Sequence, residues 1–409
     1  MKQKHSSWIP ELDGLRALMI FLVSWYHIWQ QSWLTPRIGD FSLDFLMRSG
    51  YVWVDGTILL SAFLLFLPYA RSRLEGTPVP DTRDFYFRRA RRILPGYYFI
   101  LLLVFFAVAL PWNLYRSPHY MVKDLATHFT FTFTFFEDTY ISTPLGAACW
   151  TLAIEVQAYL IFPLLARAAL RRPVLTTACM TAVCFGFRLW CVWSLGEYNM
   201  VVNQLINFLD VYALGIGMAF LFVRLKKSPS VRRWPAQLLA TLLFLAAGYG
   251  LYHMLTLQAR SSMATAEDHF AGWLSLTLDN SFFENNYAVI QRNQMVYRPV
   301  FALLFGTWIL SAPFAFLPLR ALLGNPVTRF LSGVSMNYYL IHQTIIVHMR
   351  RIGFPPSENE LPNQAGEQPW QTQYVLWSFG LSLLAAILIT YLVEKPAARG
   401  INRLRQRKS

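Results

Sequence analysis

The sequence predicts an all-α polytopic membrane protein, with about ten transmembrane helices around an intramembrane cavity, and three observations carry that prediction. Of 409 residues, 55% are hydrophobic and only 14% charged, against roughly 25% charged in an ordinary soluble domain, so the chain cannot cover itself in polar surface. Apolar stretches of about 17 to 25 residues recur along it, the length needed to cross a hydrocarbon core of about 30 Å. Their phenylalanine, leucine and tryptophan do not alternate strictly with polar residues, which argues for helices and against barrel strands.

Ten such stretches fall at residues 15–35, 48–69, 92–112, 148–166, 173–193, 203–223, 235–254, 297–316, 329–349 and 372–393. The first follows Lys2 and Lys4, as a secretory signal would. It lacks a small-residue cleavage site, carries Arg16 and His27 and precedes nine more spans, so it reads as retained. The second contains Asp55 within "VWVDGTILLSAF", and the loop after it, "DTRDFYFRRARRILPGYYF", places Pro95 near the start of the third helix. Residues 113–147 form a long segment rich in Phe, Thr and Tyr before the fourth span, "CWTLAIEVQAYLIFP", with Glu155.

A second long segment, 255–296, carries Glu267, Asp268, Asp279 and Glu284; segments of this length serve as lids and binding surfaces or as packed caps. The ninth span, "SGVSMNYYLIHQTI", contains His342, and the Pro-, Asn- and Glu-rich residues 351–371 read as an irregular loop. Cys149, Cys179, Cys184 and Cys191 lie in or beside spans without metal-ligand spacing, which suggests buried small side chains, no disulfide framework and no metal. No internal repeat is visible, so an inverted-repeat transporter gains no support.

Basic residues set the orientation. With the N-terminus in the cytoplasm, 25 of the 36 Lys and Arg fall in inner segments, seven of them from Arg71 to Arg92. The positive-inside bias therefore fits ten spans with both termini cytoplasmic. The net charge of +14 is then explained by topology and attraction to anionic membrane lipids, and nucleic acid is excluded as a partner.

The ionisable residues inside the spans need a separate account. Eleven residues at about 100° each bring Arg16 and His27 to within about 20° of one another on one helix face, about 16 Å apart along the axis. Arg16 then lies at the inner mouth and His27 near mid-membrane, where an ionisable group is costly unless it faces the bundle interior. Asp55, Glu155 and His342 bear the same cost, so all should converge inside. A histidine beside an acid can take a proton from a hydroxyl, and the same residues could carry protons in coupled transport; periodicity does not separate these. Arg88, Arg89, Arg91 and Arg92 form a dense cluster suited to phosphate groups, since each guanidinium donates two parallel hydrogen bonds; topology enforcement would use it equally.

These stretches also resemble one family. "LDGLRALMIFLVSWYH" is similar to the opening motif of the acyltransferase 3 family of integral membrane acyltransferases, an arginine, ten residues and a histidine, here Arg16 and His27. "VWVDGTILLSAFLL", "FYFRRARRILPGYY", "CWTLAIEVQAYLIFP" with Trp150, Glu155 and Pro163, "SMNYYLIH" with Ser335, Tyr339 and His342, and "YLVEKPAARG" with Glu394 and Pro396 resemble further family segments in the same order. Together they cover residues 9–400.

The resemblance implies a bacterial cytoplasmic-membrane enzyme that moves an acyl group, most often acetyl, from cytoplasmic acyl-CoA to a hydroxyl of an envelope glycan or lipid-linked sugar. It places Arg16 and Arg88, Arg89, Arg91 and Arg92 around the CoA and His27 at the chemistry. Asp55 or Glu155 would orient His27, and Tyr339 or His342 would steady the developing oxyanion. General-base transfer and an acyl-histidine relay both stay open. Residues 1–400 read as a single transmembrane acyltransferase domain and 401–409 as a basic cytoplasmic tail, without the appended hydrolase-like domain of some members. Ala62, where the family usually has glycine, and Gln157 and Ala158, in place of bulkier residues, should change the cavity's shape and hence the acceptor. A transporter or flippase of an envelope precursor is the alternative.

Overall fold

The computed structural model describes residues 8–261 and 286–406. Among them the regular secondary structure is helical apart from one antiparallel hairpin of two-residue strands, Arg37–Ile38 with Phe41–Ser42. The long helices are α1 (Pro10–Ser32), α2 (Trp53–Glu75), α3 (Thr82–Val104), α4 (Pro118–Phe129), α5 (Trp150–Arg171), α6 (Pro173–Ser194), α7 (Leu209–Lys227), α8 (Trp234–Ser261), α9 (Asn286–Ser311), α10 (Pro326–Arg351), α11 (Trp370–Ile389) and α12 (Lys395–Gln406).

All ten predicted spans are helical, and eight helical runs among the described residues are long and apolar enough to cross a membrane. Those eight do not include α1 and α10, and the reason is physical. Both spend polar residues on each other: Ser332 Oγ donates to Asp13 Oδ1 at 2.9 Å, and Ser24 and Tyr338 share a hydrogen bond of 2.7 Å. Such groups lower a helix's mean hydropathy yet are tolerable when a neighbouring helix, not lipid, covers them.

The bundle is layered accordingly. Helix α2 is central and buried along most of its length, whereas α6, α8 and α11 turn apolar side chains such as Val174, Leu245 and Leu376 outward. Helices α2 and α7 approach closely because Gly215 faces Ala62; a Cβ on Gly215 would lie 2.7 Å from the Ala62 methyl. Helix α1 approaches the short helix Leu317–Leu323 through Gly14, where a Cβ would meet the Leu323 carbonyl oxygen at 2.3 Å.

Several boundaries differ from the sequence reading. Helix α3 begins at Thr82 because the Asp81 side chain caps it, accepting from the Asp84 backbone N–H at 2.9 Å. Pro95 is therefore interior, and the arginine cluster lies on a helix surface instead of in a loop. Helices α8 and α9 extend into the expected 255–296 loop, reaching Ser261 and starting at Asn286; Glu267, Asp268, Asp279 and Glu284 lie outside the described residues. Cys179 is exposed while Cys149, Cys184 and Cys191 are buried, and all four thiols are free. Helix α12 runs through the boundary expected at residue 400, continuing α11 by way of a π-helical turn, Thr390–Glu394.

Segment 113–147 is not a loose loop. Tyr97 and Tyr98 of α3 donate to the carbonyls of His128 and Phe129 at 3.0 and 2.9 Å. Tyr120 donates to the carbonyls of Asp138 and Ser142, each at 2.9 Å. These bonds fold the aromatic-rich segment onto one end of the bundle.

Candidate active site: two cavities meeting at Tyr339

Helix α1 carries Arg16 and His27 into two different cavities. The first, about 190 Å³, is lined by Arg16, Thr57, Ser61, Arg89, Arg92, Glu155, Tyr159, Ser335 and Tyr339. The second, about 300 Å³, is lined by Tyr26, His27, Gln30, Trp150, Asn203, Gln291, Gln294, Tyr339 and Gln343, among others. Tyr339 belongs to both linings and stands where they meet. Tyr140 and Ile141 bring segment 113–147 into the wall of the second.

Electrostatics divides the two. The first cavity gathers three guanidinium groups and one carboxylate. Arg16 is half-buried and makes no hydrogen bond or ion pair with the described residues, so its donors are available to a ligand. Arg89 packs its guanidinium over Tyr159 at 5.5 Å while its Nε is buried without an acceptor. Glu155 Oε2 accepts from Tyr159 Oη at 2.8 Å. Among the described residues, the second cavity is lined by amides, aromatic rings, aliphatic side chains and His27, with no Asp, Glu, Lys or Arg.

His27 is held by an amide, where the sequence suggested an acid. Its Nδ1 lies 3.0 Å from Gln30 Oε1, and Gln30 Nε2 donates to Tyr26 Oη at 2.9 Å. An amide oxygen only accepts, so the contact places a proton on Nδ1, and in the neutral ring this leaves the Nε2 lone pair available. Gln30 was not singled out in the sequence, although i, i+3 spacing from His27 and i, i+4 spacing from Tyr26 on one helix bring such side chains together.

Asp55 serves elsewhere. Its Oδ2 accepts from Arg298 Nε at 3.2 Å in a fully buried ion pair, and Arg298 stacks over Phe208 at 3.9 Å and donates to the carbonyls of Val202 and Asn207. Beside it, Arg188 makes a two-pronged pair with Asp210 at 2.7 and 2.9 Å. Neither Arg298 nor Arg188 was picked out in the sequence, though a charge inside an apolar span is the same signal that flagged Asp55.

His342 sits with its ring 5.3 Å from that of His27. Its Nδ1 donates to the Tyr339 carbonyl at 2.7 Å, and its Nε2 is buried without a partner. Of the arginine cluster, Arg89 and Arg92 reach the first cavity, whereas Arg88 pairs with Asp84 at 2.8 Å and Arg91 stays outside it. Ala62, Gln157 and Ala158 line neither cavity. Ala62 packs on Gly215, and Gln157 Nε2 donates to the Phe131 carbonyl and Thr134 Oγ1, so these departures do not shape the cavities as expected. Among the described residues, no group of three or more His, Cys, Asp or Glu has the spacing to hold a metal.

Residues 9–395 match the family profile described as an acyltransferase domain. The chain is 27% identical over 260 residues to a Staphylococcus aureus protein provisionally named an O-acetyltransferase, covering 56% of this chain and 37% of that one. It is 29% identical over 164 residues to the peptidoglycan O-acetyltransferase OatA of Listeria monocytogenes, covering 38% of this chain and 24% of OatA. The chain thus spans well under half the length of these curated relatives. No solved structure matches it.

Proposed function

Because the chain belongs to the acyltransferase 3 family of integral membrane acyltransferases, we propose that it transfers an acyl group, acetyl in the first instance, from acyl-CoA in the cytoplasm to a hydroxyl of an envelope glycan or lipid-linked sugar. The observation that carries the reading is the pair of cavities meeting at Tyr339: among the described residues, one is cationic and holds an unpaired Arg16, the other holds His27 and no charged side chain. In this reading the chain crosses the membrane ten times, α1 and α10 included, with both termini and the arginine cluster inside. Arg16, Arg89 and Arg92 bind the donor's phosphates and steer its thioester toward Tyr339. The amides and rings of the second cavity suit a polyhydroxylated acceptor, which offers hydroxyls and no net charge.

The chemistry falls to His27. Its Nε2 takes the proton from the acceptor hydroxyl as that oxygen forms a bond to the thioester carbonyl carbon; the carbon–sulfur bond then breaks, and the imidazolium returns the proton to the departing thiolate. Tyr339 is the better oxyanion donor of the two residues named from sequence. His342 Nδ1–H is committed to a carbonyl, so its neutral ring has no second proton to give. Glu155 lines the cationic cavity, where it orients Tyr159 and offsets the arginines.

The test is turnover of labelled acetyl-CoA by membranes holding the full chain, with label counted in the glycan and lipid fractions. His27→Ala should lower the rate by about 10² to 10⁴ at unchanged CoA affinity. Near-normal transfer by that variant would remove His27 from the chemistry, and export of an unmodified precursor by it would favour a transporter.

A further inference from the structure

The basic C-terminal helix has work to do beyond fixing topology. Helix α11 is 20 residues long, about 30 Å and enough to span the hydrocarbon, so α12 projects beyond it on the side of the arginine cluster. There α12 packs along the start of α3, and between them lies a groove of about 440 Å³. One wall is Arg88, Arg89, Arg91 and Arg92; the other is Lys395, Arg399 and Asn402, which at i, i+4 and i+7 share one face of α12.

Two helices do not pack basic faces together without a reason, since like charges at such range repel. Among the described residues the groove holds one carboxylate, Glu394, which already accepts from Asn337 Nδ2 at 2.6 Å. Helix α12 is instead held from outside the groove: Arg405 pairs with Asp84 at 2.5 Å and lies over the Phe87 ring at 4.4 Å. At the inner end, the Asn337 side chain ties Thr390 and Glu394 of the π-helical turn to α10. The fold therefore clamps two cationic surfaces face to face and leaves a space between them, an arrangement suited to a group carrying several phosphate charges.

Two sources offer that chemistry, the nucleotide end of CoA and the headgroups of anionic lipids. Arg89 and Arg92 line both this groove and the Arg16 cavity, which connects the groove to the reaction path. Resting on the donor reading above, we propose that α12 is the second wall of the donor site, with Lys395 and Arg399 binding the nucleotide phosphates of CoA opposite the α3 arginines.

The experiment is calorimetric titration of CoA into the full chain in nanodiscs of zwitterionic lipid, over a series of salt concentrations, for the wild type and for Lys395→Gln/Arg399→Gln. The double variant should raise the Kd for CoA by about tenfold and flatten its dependence on salt. A variant that had merely lost fold would lower the number of sites and keep both the Kd and the slope, a result that counts against the proposal, as does an unchanged titration. If the wild type itself binds no CoA, the donor reading fails and takes this one with it; wild-type binding with an indifferent variant overturns only the role of α12. A parallel arm in discs containing phosphatidylglycerol separates the sources: retention of that lipid by the wild type, lost in the variant while CoA affinity is unchanged, would make the groove a lipid site and overturn the proposal.

Discussion

Gln30→Leu should slow acyl transfer without weakening donor binding. Gln30 does not touch the reacting atoms; it acts through His27, whose Nδ1–H it accepts at 3.0 Å, and it is itself fixed by the 2.9 Å bond from its Nε2 to Tyr26. With leucine there, the imidazole loses the contact that selects the tautomer with a free Nε2 and holds the ring's plane. A net hydrogen bond of this kind contributes about 0.5 to 1.5 kcal/mol, so the rate should fall by roughly 2- to 12-fold, far less than for loss of the imidazole itself. Tyr26→Phe, which frees only the far end of the amide, should do less. The assay is transfer from labelled acetyl-CoA, with the Kd for CoA measured alongside, for Gln30→Leu, His27→Ala and the double variant. A residue that acts only through His27 has nothing to contribute once His27 is gone, so the double variant should match His27→Ala. A further fall of the same size on the His27→Ala background would refute the positioning role and make Gln30 a structural or acceptor-binding residue.

Two other outcomes follow from the geometry. Arg298→Leu leaves Asp55 buried and unpaired, which should cost about 3 to 5 kcal/mol, whereas Arg298→Leu/Asp55→Leu should recover most of that stability. Thermal unfolding with turnover on the same samples checks this, and a stable double variant without any transfer would return Asp55 to the chemistry. In the 351–371 segment, the Glu358 backbone N–H, with the side-chain and backbone N–H of Asn359, holds the Glu367 carboxyl below its usual range. A folded-state value below the unfolded one means that the loop's order is fully present above the unfolded value and is lost as pH falls through the folded one. Amide-exchange protection of residues 357–360, corrected for intrinsic rates, should therefore drop below about pH 4 in the wild type and show no such step in Glu367→Gln; identical profiles would contradict the assignment.

The parts of this protein legible from sequence are those that depend on composition and helix geometry alone. The ten apolar stretches are helical, eight of them in runs long and apolar enough to cross a membrane, where a segment must satisfy its own backbone, and Arg16 and His27 share a face because eleven residues make just over three whole turns. The ordered motifs were enough for the family, since residue type and order are what a family profile reads. Which partner each polar side chain takes was decided by packing between elements far apart in the chain. Asp55 could have faced His27 as readily as Arg298, 243 residues away, until α9 was laid against α2. In the same way, Gln30 became the group that holds His27, and Ala62 a packing contact with Gly215 and no part of either cavity. The second wall of the basic groove begins in the motif "YLVEKPAARG", whose Lys395 and Arg399 read from sequence only as inner-side basic charge. Only the continuation of α11 through its π-helical turn brings Lys395 and Arg399 opposite Arg88 to Arg92, a juxtaposition of residues some 300 positions apart that no local pattern encodes.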